Sequence, residues 1–117
     1  MPKDYARTDR VAEQMQRELA ELLRLEVRDP RVRMVTLTGV EVARDYSHAK
    51  VFYTVLEGKN DKVQQGLDHA SGFLRGCLFH SMKLRVTPQL HFVYDESVER
   101  GAHLSQLIDQ AVKGGSS

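Results

Sequence analysis

A basic segment without carboxylates is the part of this sequence best suited to bind phosphate. No acidic residue lies between Asp68 and Asp95, although about four would be expected at the average frequency of the chain. The basic and imidazole side chains in this segment are Arg75, Lys83, Arg85, His69, His80 and His91. This pattern predicts a phosphate-binding surface. The alternative is that a buried helix and strand exclude charge from the segment.

The total charge limits how such a surface could work. The 117 residues contain 17 Lys and Arg against 16 Asp and Glu, so nonspecific attraction to nucleic acid is expected to be weak. Eleven of the 17 basic residues are arginine, whose planar guanidinium group suits phosphate and base edges better than the lysine ammonium does. The composition therefore mildly favours RNA recognition through locally placed charge.

Length and cysteine content indicate a small cytoplasmic protein. A chain of 117 residues with 41% hydrophobic content fits one domain with a single core. Its one cysteine, Cys77, cannot form an internal disulfide and is expected to pack as a small hydrophobic residue. We find no signal-peptide pattern and no apolar run of membrane-spanning length.

An amphipathic helix is predicted near the start of the chain. Thr8 or Asp9 can cap it, and its apolar spacing continues to about Val27. Asp29-Pro30 should then end it, because proline lacks the amide donor that a helix needs.

Three strands are predicted after this helix. Residues 34–42 and 49–56 are rich in β-branched and aromatic side chains, and the short connection between them indicates an antiparallel pair. The apolar alternation changes parity at Gly39, which predicts a bulge. Residues 89–95 alternate cleanly and form the third strand.

A second helical region begins at Asn60 or Asp61, and Ala70-Ser71-Gly72 is expected to divide it into a helix-kink-helix. A last helix is predicted over residues 102–112, followed by a flexible tail at 113–117. This order of elements predicts an α+β fold in which helices cover one face of a three-stranded sheet.

Several short segments, taken in order, resemble the ribosome-binding factor A family of bacterial small-subunit assembly factors. The matching segments are Arg7 through Val11, Asp29-Pro30-Arg31, Val40-Glu41-Val42, Ala49-Lys50-Val51, Ala70-Ser71-Gly72-Phe73-Leu74-Arg75, Leu84-Arg85 and Pro88-Gln89-Leu90-His91-Phe92. The resemblance implies a type II KH-like domain over residues 1–100, with the Ala-Ser-Gly kink in place of the GXXG loop. Residues 101–112 would then pack on or beside that domain.

The same resemblance implies a function and a set of partners. A member of this family would bind the free small (30S) ribosomal subunit and assist late assembly and 16S rRNA 5′-end processing. Its partners would be 16S rRNA and neighbouring ribosomal proteins. We expect a monomer with no cofactor and no membrane association.

The candidate RNA contacts centre on the predicted kink. Arg75, Lys83 and Arg85 are expected to bind phosphates there, supplemented by exposed amides at the start of the second helix. The full set of candidates is Ser71, Gly72, Arg75, Lys83, Arg85, Arg7, Arg10, Arg31, Arg44 and Lys50. For Arg7, Arg10, Arg31 and Arg44 the alternative is an ion pair with a nearby carboxylate.

Other readings of the residues are weaker. The aromatic side chains mostly fit the core stripes, so recognition by shape and phosphate is expected to outweigh base stacking. The sequence has no nucleotide-binding or catalytic-triad motif and no ligand spacing among its five histidines, so we expect neither catalysis nor a metal site. Two alternatives stay open: a stand-alone single-strand RNA-binding module, and a protein-interaction domain whose basic segment packs inside.

Overall fold

Two long helices and a three-stranded sheet form the part of the chain that the computed structural model describes, which is the backbone of residues 3–97 and the side chains of residues 7–97. The elements are α1 (Lys3–Leu25), a 3₁₀ turn (Pro30–Val32), β1 (Thr36–Val42), β2 (His48–Thr54), α2 (Asp61–Met82) and β3 (Gln89–Tyr94). The predicted helix at 102–112 and the tail lie outside the described residues. Neither α1 nor α2 combines the length and apolar character that a membrane span requires.

Among the described residues, only one face of the sheet is buried. Its strand order is β1-β2-β3, with β1 antiparallel and β3 parallel to β2. The buried residues of β2 and β3 alternate with exposed or half-buried ones, and they pack against α1 and α2. The predicted α+β architecture and the antiparallel pair of strands are confirmed. The core residues that share this interface are Ala49, Val51, Tyr53, Leu90, Phe92 and Tyr94 from the sheet, with Met15, Leu19, Leu23, Leu67, Ala70, Leu74 and Leu78 from the helices.

The bulge predicted at Gly39 is confirmed. Pairing passes from Leu37 opposite Tyr53 to Gly39 opposite Phe52, so Thr38 is the extra residue. The Thr38 hydroxyl donates a hydrogen bond to the carboxylate of Asp95, just beyond β3. A bulge lets one residue leave the alternating pattern without moving the rest of the strand to the wrong face.

The predicted start of α1 is wrong. The helix begins at Lys3, so Thr8 and Asp9 are interior residues and not caps. Thr8 is buried and continues the stripe of Ala12 and Met15 by one more turn. Packing of that stripe extends the helix past a residue whose type favours a helix end. The helix ends at Leu25, two residues before the predicted position.

The predicted cap of α2 is confirmed, but the predicted division of this helix is not found. The Asn60 side chain accepts a hydrogen bond from the Lys62 amide at 2.8 Å, and α2 then runs as one helix to Met82. Leu67, Leu74 and Leu78 are fully buried at helical spacing on both sides of Ser71-Gly72. Their packing outweighs a local glycine penalty of about 1 kcal/mol.

Two helical glycines of α2 provide a paired stability test. A Cβ at Gly66 would lie 3.1 Å from Val32 Cγ1 and 3.2 Å from Arg31 Cβ, whereas a Cβ at Gly76 would meet nothing within 4 Å. Both substitutions to alanine gain helix propensity, but only Gly66→Ala must displace the buried Val32. We expect Gly76→Ala to be stabilising, and Gly66→Ala to be less stable than Gly76→Ala by at least about 1 kcal/mol. Urea unfolding midpoints measure the difference, and equal stabilities would contradict the close approach at Gly66.

Candidate nucleic-acid interface

An open groove lies between the C-terminal half of α2 and the segment that connects α2 to β3. Its volume is about 540 Å³, and none of the residues that line it is acidic. The lining residues are Gly72, Arg75, Gly76, Phe79, His80, Arg85, Val86 and Thr87. The groove brings together three predicted site residues, Gly72, Arg75 and Arg85, and we call it the α2 groove.

The floor of the α2 groove is a strip of helix without side chains. Gly72 and Gly76 are four residues apart and therefore share one face of α2. Both are exposed, and a Cβ added at either would find open space. A bulky ligand such as a sugar-phosphate chain can therefore approach the helix more closely here than at any position that carries a side chain.

Arg75 fixes the wall of the α2 groove. Its Nε and Nη2 atoms donate to the Thr87 carbonyl at 3.1 and 2.9 Å, which ties the connecting segment to α2. A guanidinium group has five N–H donors, so those that remain are available to a phosphate. Arg85 is exposed on the same segment. Arg75 thus has a structural task that Arg85 does not share.

Two phenylalanines of α2 are exposed, although the aromatic side chains were expected to lie mostly in the core, and one of them, Phe79, lines the α2 groove. The exposed fractions of the Phe73 and Phe79 side chains are 52% and 55%. Phe79 packs edge-to-face on His80, with ring centroids 5.4 Å apart. The sequence contained a signal for this, because both phenylalanines lie off the spacing of Leu67, Leu74 and Leu78. Base stacking is therefore available at the α2 groove.

The basic segment does not pack inside. Arg75, Lys83 and Arg85 are all exposed, which argues against the reading in which a buried helix and strand exclude charge. Lys83 adopts a left-handed backbone conformation at the end of α2, with φ 52°, and does not line the α2 groove. A lysine at this position interacts favourably with the C-terminal end of the helix dipole.

The predicted amide contribution is not found. Because α2 is continuous, Ser71 and Gly72 do not begin a second helix, and their amides are not the exposed donors of a helix N-terminus. The Ser71 hydroxyl donates to the Asp68 carbonyl at 2.7 Å, a local bond within the helix. Any phosphate bound at the α2 groove would therefore depend on side chains and on close approach to the bare helix face.

Arg31 is committed to an ion pair and lies outside the α2 groove. Its Nε and Nη2 atoms donate to both carboxylate oxygens of Asp29, at distances of 2.6 to 3.0 Å. Hydrogen bonds from Arg31 lower the pKa of Asp29 to about 2. This pair belongs to the turn that precedes β1, as the alternative reading of Arg31 predicted.

The remaining candidates are dispersed. Arg7 and Arg10 lie exposed on α1, Arg44 lies in the turn between β1 and β2, and Lys50 lies on the uncovered face of the sheet. Within residues 7–97 the ion pair is Arg31–Asp29, and these four side chains form none with a described carboxylate. The described residues also contain no cluster of three or more potential metal ligands.

The Arg31–Asp29 pair predicts a pH effect. We expect Arg31→Gln to raise the pKa of Asp29 from about 2 toward its ordinary value of 3.8. Because the folded-state pKa is lowered, the stability that this pair contributes is present above the unfolded-state pKa and is lost as the pH falls from about 4 toward 2. Carboxyl carbon NMR titration measures the change. Arg33→Gln, at a neighbouring exposed arginine, is the control, and an unchanged Asp29 pKa in Arg31→Gln would contradict the assignment.

A family model and a curated relative match nearly the whole chain. The model described as ribosome-binding factor A matches residues 7–108. A ribosome-binding factor A from Nitrosospira multiformis is 66% identical over 114 residues, which cover 96% of this chain and 90% of the relative.

Solved structures share the fold. The crystal structure of ribosome-binding factor A from Thermus thermophilus matches with a TM-score of 0.68 and 24% identity, covering 74% of this chain and 94% of that one. A homology model of the Thermus thermophilus protein, fitted into a cryo-electron microscopy map of a 30S–ribosome-binding factor A complex, matches with a TM-score of 0.65 and 24% identity. That match covers 76% of this chain and 96% of the other.

Proposed function

The chain belongs to the ribosome-binding factor A family, and on that premise we propose that it binds the free small ribosomal subunit and assists its late assembly, including maturation of the 16S rRNA 5′ end. The protein would act in the cytoplasm as a monomeric binding factor without enzymatic activity. The 30S complex of the Thermus thermophilus protein supports the choice of partner.

The α2 groove is the observation that carries this proposal. It combines the guanidinium groups of Arg75 and Arg85, the bare helix face at Gly72 and Gly76, and no carboxylate. This set of groups favours a polyanion that is contacted along its backbone. Exposed Phe79 adds a ring on which an unpaired base could stack.

We further infer that the domain is KH-like, of the type II topology. The order helix, strand, strand, helix, strand and the parallel pairing of β2 with β3 support this inference. In this proposal the Ala70-Ser71-Gly72 segment takes the place of a GXXG loop by exposing bare helix, without a break in α2.

Arg85 is the sharpest test of the α2 groove, because it is exposed and makes none of the described hydrogen bonds that hold the fold. We expect Arg85→Glu to weaken binding to isolated small subunits and to reduce the salt slope of log K by about one unit. Sedimentation with small subunits, large subunits and joined ribosomes at two salt concentrations measures both.

Arg24→Glu is the matched control for Arg85→Glu, because Arg24 is exposed on α1 and lies outside the α2 groove. Equal binding by Arg85→Glu and Arg24→Glu would remove the α2 groove as the contact. Absence of the wild-type protein from every ribosomal fraction would remove the proposed function itself.

The bare helix face gives a second test. We expect Gly72→Gln to leave α2 at least as stable, since glutamine is a better helix former, while its side chain occupies the floor of the α2 groove. Binding to small subunits should fall about tenfold. Ala20→Gln places the same side chain at an exposed position of α1 and should bind normally. Unchanged binding by Gly72→Gln would show that no ligand approaches α2 closely there.

A further inference from the structure

The face of the sheet that the helices leave uncovered carries a second set of groups suited to RNA. β2 and β3 bury alternate residues, so their other residues share the opposite face. In the parallel register His48 pairs with Gln89, Lys50 with His91, and Phe52 with Val93. Each of these three rungs joins two side chains that are not part of the hydrophobic core.

The first two rungs hold a cation and two imidazole rings close together. His48 Nδ1 lies 2.9 Å from His91 Nε2, and the ring centroids are 5.0 Å apart at an interplanar angle of 39°. Lys50 is the register partner of His91 and is exposed. This spacing gives a small ring surface with an ammonium group beside it.

The third rung supplies apolar surface. Phe52 is half-buried, and the exposed fraction of Val93 is 37%. A phenylalanine in the middle of an open sheet face, next to basic side chains, is the type of platform on which unpaired bases stack. The face is too polar at its first two rungs to resemble the apolar centre of a protein–protein interface.

Carboxylates border this face, since Asp95 and Glu96 line a pocket together with Phe52 and Val93. Glu41 of β1 is the register partner of Lys50, but the described residues record no ion pair between them. Asp45, in the turn before β2, accepts hydrogen bonds from the amide and hydroxyl of Ser47, which lower the pKa of its carboxyl group. A phosphate on this face would therefore be contacted by the exposed Lys50 ammonium group, at a distance from the carboxylates beside the third rung.

The uncovered face also adjoins the α2 groove at one end of the sheet. Arg85 and Thr87 line the α2 groove, and β3 begins directly after them at Gln89. The Gln89 amide donates to the Ser47 carbonyl at 2.9 Å, so the first residues of β2 and β3 lie together. A strand of RNA that leaves the α2 groove at this end reaches the His48 rung first.

We propose that the uncovered sheet face holds an unpaired segment of RNA, with bases stacked on Phe52 and on the imidazole pair and with a phosphate bound by Lys50. This inference rests on the proposed function and adds a second contact surface to it. It accounts for Lys50, which was a candidate RNA contact but lies away from the α2 groove.

Single tryptophans report on the two surfaces separately, because the chain has none of its own. Phe52→Trp places the reporter on the sheet face, Phe79→Trp places it at the α2 groove, and Leu25→Trp places it on α1 as a control at an exposed position. A single-stranded RNA of about ten nucleotides, and separately isolated small subunits, would be titrated into each full-length variant. We expect both the RNA and the small subunits to quench the tryptophan fluorescence of Phe52→Trp and to leave that of Leu25→Trp unchanged. Adding Lys50→Glu to Phe52→Trp should weaken the affinity for the RNA about fivefold or more.

Each other outcome is decisive. Quenching of Phe79→Trp without Phe52→Trp overturns the sheet-face inference and retains the α2 groove, whereas the reverse retains the inference and removes the groove. Quenching of Phe52→Trp by small subunits but not by RNA overturns the inference, because a ribosomal protein then covers the face. Quenching of neither reporter, although wild-type protein sediments with small subunits, overturns the inference and leaves the proposed partner intact. If Phe52→Trp does not fold, the ring signals of His48 and His91 in the wild-type NMR spectrum must shift on addition of the same RNA, and unshifted signals overturn the inference.

Discussion

The buried phenol of Tyr53 needs a hydrogen-bond partner, and meeting this need fixes α2 against the sheet. Tyr53 is fully buried in β2, and burial raises the pKa of its hydroxyl. That hydroxyl donates to Gln64 Oε1 of α2 at 2.6 Å. The Gln64 amide in turn donates to the Phe92 carbonyl of β3 at 2.8 Å and to Asp68 Oδ1 at 3.1 Å. One side chain thereby joins β2, α2 and β3, and an unpaired phenol in its place would be costly.

This attachment determines which parts of the molecule are left for binding. Because α2 presents Leu67, Leu74 and Leu78 to the sheet, its opposite side must face solvent, and that side carries Gly72, Gly76 and Phe79. Both α1 and α2 also lie on the same face of the sheet, so neither of them covers the rungs of His48, Lys50 and Phe52. A chain with a net charge of only +1 can bind a polyanion if its cations are gathered locally, as Arg75 and Arg85 are at the α2 groove, which no carboxylate lines.

The sequence was sufficient to predict features that depend on local chemistry. The bulge follows from the parity change at Gly39, and the cap of α2 follows from Asn60 just before a helical pattern. The start of α1 and the continuity of α2 could not be predicted this way, because tertiary packing decides them. Thr8 looks like a cap until its burial is known, and Ser71-Gly72 looks like a break until Leu67 and Leu74 are seen in one core.

The candidate site was predictable in part for the same reason. The carboxylate-free segment pointed to Arg75 and Arg85, and both lie at the α2 groove. Local sequence does not reveal that Arg75 holds the Thr87 carbonyl, because that contact joins a helix to a segment twelve residues further along the chain.

The described fold gives no reason for the two exposed glycines of α2, whereas the proposed function gives one. Each lies inside a helix, where glycine costs about 1 kcal/mol relative to alanine, and a Cβ at either would meet no described atom within 4 Å. Neither has the positive φ that would require glycine. Gly66, in contrast, is explained by its contact with Val32. Where a residue lowers stability and the fold does not require it, a functional requirement is the usual cause. In the proposed function, that requirement at Gly72 and Gly76 is room for a ligand against the helix backbone.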